Sequence, residues 1–254
     1  MGDSESGARI STDFLNSMPA DVPPSVREFL TGRAELDDTS LAQKPILSLP
    51  ASICDEDLQK STSWLARDRH LTQLDIIGAN ITDAAPLREL PQLESLSLNG
   101  TRISDVSPLV DLKRLRWLDL RATPVTDLSP LAELTDLETL ALNMTGVRDL
   151  APLANLKRLA WLDLSGTDVT DLRQLSGLAE LRSLNLVRTK VADLSPLAGL
   201  TSLQWLDISE TSVVDVFPLA ELKGLQVLSV VGIEITEGLG VLSSLSLGGC
   251  WIHR

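Results

Sequence analysis

The sequence predicts an α/β repeat protein, a solenoid of stacked coils. The first observation behind this is composition: leucine supplies 51 of 254 residues, tyrosine is absent and phenylalanine occurs three times. Irregular cores need varied side-chain shapes, so a core built of one branched residue implies one packing environment made repeatedly. The second is a period. Leu71, Leu93, Leu115, Leu137, Leu159, Leu181, Leu203 and Leu225 stand 22 residues apart. The third is the pattern inside the period. Leu74, Leu96, Leu118, Leu140, Leu162, Leu184, Leu206 and Leu228 follow three residues later, and Ile76, Leu98, Leu120, Leu142, Leu164, Leu186, Ile208 and Val230 two beyond that. This last spacing is the period of a strand. A β-branched column (Ile81, Ile103, Val125, Val147, Val169, Val191, Val213, Ile235) and a Leu-rich one (Leu87, Leu109, Leu131, Leu153, Leu175, Leu197, Leu219, Val241) complete each unit. Each inward side chain contributes about 1.5–3 kcal/mol when buried. No unit closes a core alone, so the coils must stack.

The unit Leu115-Arg-Trp-Leu-Asp-Leu-Arg-Ala-Thr-Pro-Val-Thr-Asp-Leu-Ser-Pro-Leu131 resembles the leucine-rich repeat family, in its 22-residue internalin-like class, which is similar to the repeats of eukaryotic protein-phosphatase regulators. The resemblance covers about residues 71–252. It implies a leucine-rich repeat solenoid with a curved parallel β-sheet on the concave face and short 3-10 or α turns on the convex face. It also implies a ladder residue after each strand, usually Asn. Here Thr101, Thr123, Thr145, Thr167, Thr189 and Thr211 stand there, with Ala79 first and Ile233 near the end. A threonine hydroxyl can bond the backbone of the adjacent coil. Cys250 falls in the same column of the last unit, as a small buried side chain.

An acidic column runs Asp83, Asp105, Asp127, Asp149, Asp171, Asp193, Asp215 and Glu237. It precedes Ser-Pro-Leu in several units, where Ser is expected as N-cap and Pro as the first helical residue. The carboxylates are expected to accept turn N–H groups; stacked acids gathering calcium is the less favoured alternative. Residues 71–254 hold 23 acids and 15 bases, an excess equal to these eight acids. The solenoid's negative charge is therefore a turn device before it is a partner signal.

Residues 1–24 read as a flexible arm, and 25–70 as an N-terminal helical cap with helices from Ser25 and from Asp55. Pro45 to Leu49 reads as a degenerate first strand. Residues 71–254 form the solenoid, eight 22-residue units plus a truncated ninth strand at Leu242, Leu245 and Leu247 with no closing helix. That leaves the C-terminal coil uncapped and open to association with a second subunit or partner.

The net charge of −13 argues against nucleic acid, whose phosphates need an excess of Lys and Arg. No apolar run reaches the roughly 18 residues of a transmembrane segment. The acidic start shows no secretory signal. Two cysteines, Cys54 and Cys250, make no disulfide framework and fit a reducing compartment. A cytoplasmic protein is expected, with delivery into a host cell left open. No glycine-rich phosphate loop, metal-ligand cluster or nucleophile paired with one of the two histidines is present, so neither enzyme, metal nor cofactor is expected.

Outward positions on the concave strands flank the buried leucines. One such column reads Gln73, Ser95, Trp117, Thr139, Trp161, Ser183, Trp205, Val227, so three tryptophans recur every 44 residues. The next reads Asp75, Ser97, Asp119, Ala141, Asp163, Asn185, Asp207, Ser229, which sets an aspartate beside each tryptophan. Indoles on an exposed sheet dominate interface energetics, often about 2 kcal/mol or more each. A protein partner is expected on Trp117, Trp161 and Trp205, with Asp119, Asp163, Asp207, Asp75 and Arg121 setting orientation and favouring Lys or Arg on the partner. The function expected is that of a bacterial scaffold, regulator or effector. Alternatives are indoles that merely shield the sheet, or a carbohydrate-binding module using the same stripe. A third is a thiol-dependent effector centred on Cys54, because Cys54-Asp55-Glu56-Asp57 resembles the signature of bacterial ubiquitin ligases that carry leucine-rich repeats. The large helical domain those enzymes place after the repeats has no counterpart here, and a local helix cap is the simpler account.

Overall fold

The computed structural model describes residues 46–253. The expected arm and the helix expected from Ser25 lie outside the described residues. Ten parallel strands form one sheet in chain order. They are β1 (Leu47–Leu49), β2 (Gln73–Ile76), β3 (Ser95–Ser97), β4 (Trp117–Asp119), β5 (Thr139–Ala141), β6 (Trp161–Asp163), β7 (Ser183–Asn185), β8 (Trp205–Asp207), β9 (Val227–Ser229) and β10 (Trp251–His253). The architecture is the curved leucine-rich repeat solenoid, with the sheet on the concave side and 3-10 turns on the convex side. Each strand is short because only three residues can pair before the chain must turn into the core. In Trp161-Leu162-Asp163 the middle leucine is buried and its neighbours face the hollow. The leucine columns pack into one continuous hydrophobic cluster running the length of the molecule.

On the convex side, seven 3-10 helices begin at Ala85, Ser107, Ser129, Ala151, Arg173, Ser195 and Phe217. The first amide of each donates to the carboxylate two residues earlier, from Asp83 to Asp215, at 2.7–2.9 Å. The acidic column therefore works as a series of Asx turns. Serine is not the cap: it is the first helical residue, and the aspartate two positions before it accepts the orphan N–H. The ladder threonines also differ from expectation. Each hydroxyl donates to the carbonyl three residues back in its own coil, as Thr101 does to Leu98 at 2.8 Å and Thr145 to Leu142 at 2.6 Å. The side chain is too short to cross the gap to the next coil, and backbone amides make that link instead, Leu98 N–H to Asp119 and Gly100 N–H to Arg121.

A left-handed residue follows every strand from β2 to β9. Glycine supplies it at Gly78, Gly100, Gly166 and Gly232, but Ala122, Met144, Arg188 and Glu210 adopt φ of 54–61° there. A side chain in that region costs about 1–2 kcal/mol, which the repeating backbone bonds of the coil impose.

The two ends are built differently. At the N-terminus β1 pairs with β2, and helix α1 (Asp55–Leu65) buries Leu58, Trp64 and Leu65 against the first coil. Asp55 ties it down by accepting from the Thr82 amide at 2.8 Å, the Thr82 hydroxyl at 2.8 Å and the Asp83 amide at 3.1 Å. At the C-terminus the expected strand over Leu242, Leu245 and Leu247 is instead helix α2 (Leu239–Leu247), which starts on the left-handed Gly238 and leads into the last strand. Leucines three apart lie on one helical face, and Val241, Leu242 and Leu245 are buried while Leu247 is exposed. The last strand is β10, and Cys250 precedes it. That cysteine is buried as expected, but it is not a ladder residue, and burial raises its thiol pKa. Among the described residues no helix is long and apolar enough to cross a membrane.

Candidate functional site

Strand register puts the outward columns in line. Ser95 pairs with Trp117, Trp117 with Thr139, Thr139 with Trp161, Trp161 with Ser183, Ser183 with Trp205 and Trp205 with Val227. The three indoles thus share one file on the concave face, on every second strand. Trp117 and Trp205 are half-buried and Trp161 is 36% exposed. None points into the leucine core.

Val227 pairs in turn with Trp251, so a fourth indole continues the file on β10. It is 61% exposed and stacks on His253 of the same strand, ring centroids 5.2 Å apart. Sequence reasoning missed it because helix α2 lengthens the last coil by two residues, placing Trp251 46 rather than 44 positions after Trp205. The tryptophan count, with only Trp64 elsewhere, was the available signal. The completed file reads Trp, Thr, Trp, Ser, Trp, Val, Trp: four aromatic ridges alternating with three small or slender side chains.

The aspartate column lies beside the file, as the spacing requires, but its members differ. Asp119 is 2% exposed, enclosed by Ser97 and Ala141 on the flanking strands. Its carboxylate accepts from the Arg121 amide at 3.0 Å, the Arg121 Nε at 2.8–2.9 Å and the Ser97 hydroxyl at 3.4 Å. A buried carboxylate does not meet a partner, so at this strand the accessible charge is Arg121, about half exposed. The bond to Asp119 raises the Arg121 pKa against partial burial, and the charges of Asp119 and Asp163 add to it. Asp163 and Asp207 are half-exposed and each uses Oδ1 for the amide two residues on, at 2.9 Å. Their carboxylates retain acceptor capacity toward the hollow. Asp75 stands four strands before Asp163, in the same column.

Toward the N-terminal end, Ile46, Gln73, Asp75, Glu94, Ser95, Arg116 and Trp117 line an open hollow of about 400 Å³ on the concave face. One edge of the strands carries an ion-pair network in which Glu138 bridges Arg158 at 3.3 Å and Arg116 at 3.7 Å. On the convex side Phe217 and Leu239, in a column of small or polar residues, stand exposed. Cys54 is exposed at the start of α1, and both its amide and its thiol donate to Asp57, at 3.3 and 3.2 Å. That is the geometry of a helix cap. Among the described residues no group of three or more His, Cys, Asp or Glu is placed to hold a metal ion.

No protein-family model and no curated protein sequence matches the chain. Solved structures do. Internalin C2 from Listeria monocytogenes is 32% identical, with 72% of this chain and 80% of that one aligned at a TM-score of 0.65. A second internalin from the same bacterium is 26% identical over 94% of this chain and 83% of its own, TM-score 0.66. A leucine-rich repeat protein from Leptospira interrogans, 19% identical over 89% of this chain and 68% of its own, shares the fold at a TM-score of 0.65. With its 22-residue coils, ten-stranded parallel sheet and this likeness to internalins, the chain belongs to the leucine-rich repeat family.

Proposed function

We propose that the chain is a non-enzymatic module that binds a protein partner on its concave sheet, through Trp117, Trp161, Trp205 and the newly aligned Trp251. The observation that carries the reading is the file itself: large, partly exposed indoles on alternate strands, outside the core that the leucine and β-branched columns fill. Arg121, Asp163, Asp207 and Asp75 set the partner's orientation, and Asp119 acts by holding Arg121. The half-exposed carboxylates beside the indoles favour Lys or Arg on the partner. Internalin-like neighbours support the interaction role, and their bacterial source supports a bacterial scaffold, regulator or effector, placed here in the cytoplasm.

The test is a titration of a captured partner against wild-type protein and Trp161→Ala. Loss of the central indole weakens binding by about 2 kcal/mol or more, roughly thirtyfold, with the urea midpoint held within the range of a surface substitution. An unchanged dissociation constant rejects the file as the binding site.

A further inference from the structure

We infer that the occupant of the indole file is a proline-rich, basic segment in polyproline II conformation, with one prolyl ring seated between each successive pair of tryptophans. This deepens the concave-face reading and rests on it. Neighbouring strands lie about 4.8 Å apart, so indoles on alternate strands recur every ~9.6 Å at the backbone. The file lies on the hollow side of a curved sheet, where side chains converge and the spacing at the indole tips is shorter still. A polyproline II helix has three residues per turn and rises about 3.1 Å per residue, so it presents the same face every ~9.3 Å.

Other backbones fit less well. An extended strand presents one face every ~6.7 Å, of which no whole multiple matches the file. An α-helix repeats a face every seven residues, about 10.5 Å. Over the three intervals from Trp117 to Trp251 it would run about 3 Å out of phase, against about 1 Å for polyproline II. Curvature widens the helix's mismatch and narrows that of polyproline II. The intervening side chains complete the fit. Thr139, Ser183 and Val227, each far smaller than an indole, are the side chains of the file that stand between one tryptophan and the next, and each prolyl ring would sit over one of them. Aromatic-walled slots are the form in which Pro-x-x-Pro segments are recognised, because the ligand is already ordered and loses little entropy on binding. Three slots require prolines at every third residue over seven residues. Asp163 and Asp207, partly exposed beside the second and third indoles, favour Lys or Arg at the positions between them.

Tryptophan fluorescence tests this on the full chain, since the remaining indole, Trp64, is buried and gives a constant background. The probes are a synthetic peptide of four Pro-Ala-Arg repeats, a composition-matched peptide with its prolines alternately two and four apart, and cellohexaose. The period-three peptide is expected to bind about tenfold or more tightly than the shuffled one. Trp161→Ala, Trp251→Ala and Ser183→Leu, which fills a slot without removing an indole, are each expected to weaken it by about the same factor. Equal affinity for the two peptides, binding of neither, or preference for cellohexaose overturns the inference. So does tight binding by Ser183→Leu. If the captured partner still depends on Trp161 while the two peptides do not differ, the polyproline assignment falls and the concave site stands; if the partner does not depend on Trp161, both fall.

Discussion

Asp163 on the concave strand and Asp171 at the convex turn lie eight residues apart in one coil and make the same hydrogen bond. Each accepts the amide two residues on, at 2.9 Å. On the convex side that bond serves the backbone: seven aspartates in register each start a 3-10 helix. On the concave side the bond ends a strand, and it sets the carboxylate beside an indole that ends no turn and fills no core. Repetition of a residue in a solenoid therefore marks a local backbone duty first. A contact surface is marked by the column that the backbone does not need.

The sharpest way to break this division is inside one strand. Leu162→Ala, directly behind Trp161, should cost about 2–5 kcal/mol by urea unfolding, whereas Trp161→Ala should stay within the small range of exposed positions. Comparable losses would mean the indole is structural. Next in size, Asp119→Ala removes the acceptor of two Arg121 donors and should destabilise by about 1–3 kcal/mol. A neutral result would return Asp119 to the list of contact residues.

Acid acts on the convex column more broadly and more weakly. The Arg173 guanidinium and amide lower Asp171 from 3.8 to about 2. The Ser107 amide and hydroxyl lower Asp105, and Ser129 and Ser195 do the same for Asp127 and Asp193. At the cap, burial opposes the charge of Asp55, but the bonds from Thr82 and Asp83 outweigh it and lower its pKa too. Groups lowered on folding stabilise fully above their unfolded values and lose that contribution as pH falls through the folded ones. The urea midpoint should therefore be flat from about pH 7 to about 5 and fall between about 4 and 2. A midpoint constant to about pH 2 would show that the turn bonds carry no stability. The smallest effect is expected at Gln174, which stands where the other 3-10 helices carry proline. Gln174→Pro should raise the urea midpoint by the equivalent of about 0.5–1 kcal/mol, and a loss would show that this turn differs from its neighbours.

The repeat was legible because 22-residue columns of leucine have only one way to be buried together. Boundaries inside each unit followed from the period of two around Leu96, Leu118 and their equivalents. The last coil was not legible. Leu242 and Leu245 fit a strand leucine pair in spacing, and only the path through Gly238 makes them a helix. That two-residue excess hid Trp251 from a search at multiples of 22. The burial of Asp119 was hidden for another reason: exposure depends on which side chains stand on the two neighbouring strands, here Ser97 and Ala141, and both come from other repeats. Columns say which residues are equivalent, and only rows say what surrounds them.

Because every strand from β2 to β9 keeps the same register, the solenoid behaves as a graduated rule. Excision of residues 139–182 would join Glu138 to Ser183, the position equivalent to Thr139, and would shorten the rule by one indole, with Asn185 taking the place of Ala141 beside Asp119. The length of the indole file is then set by a count of doublets, a quantity that gene duplication or the engineer can adjust in whole steps.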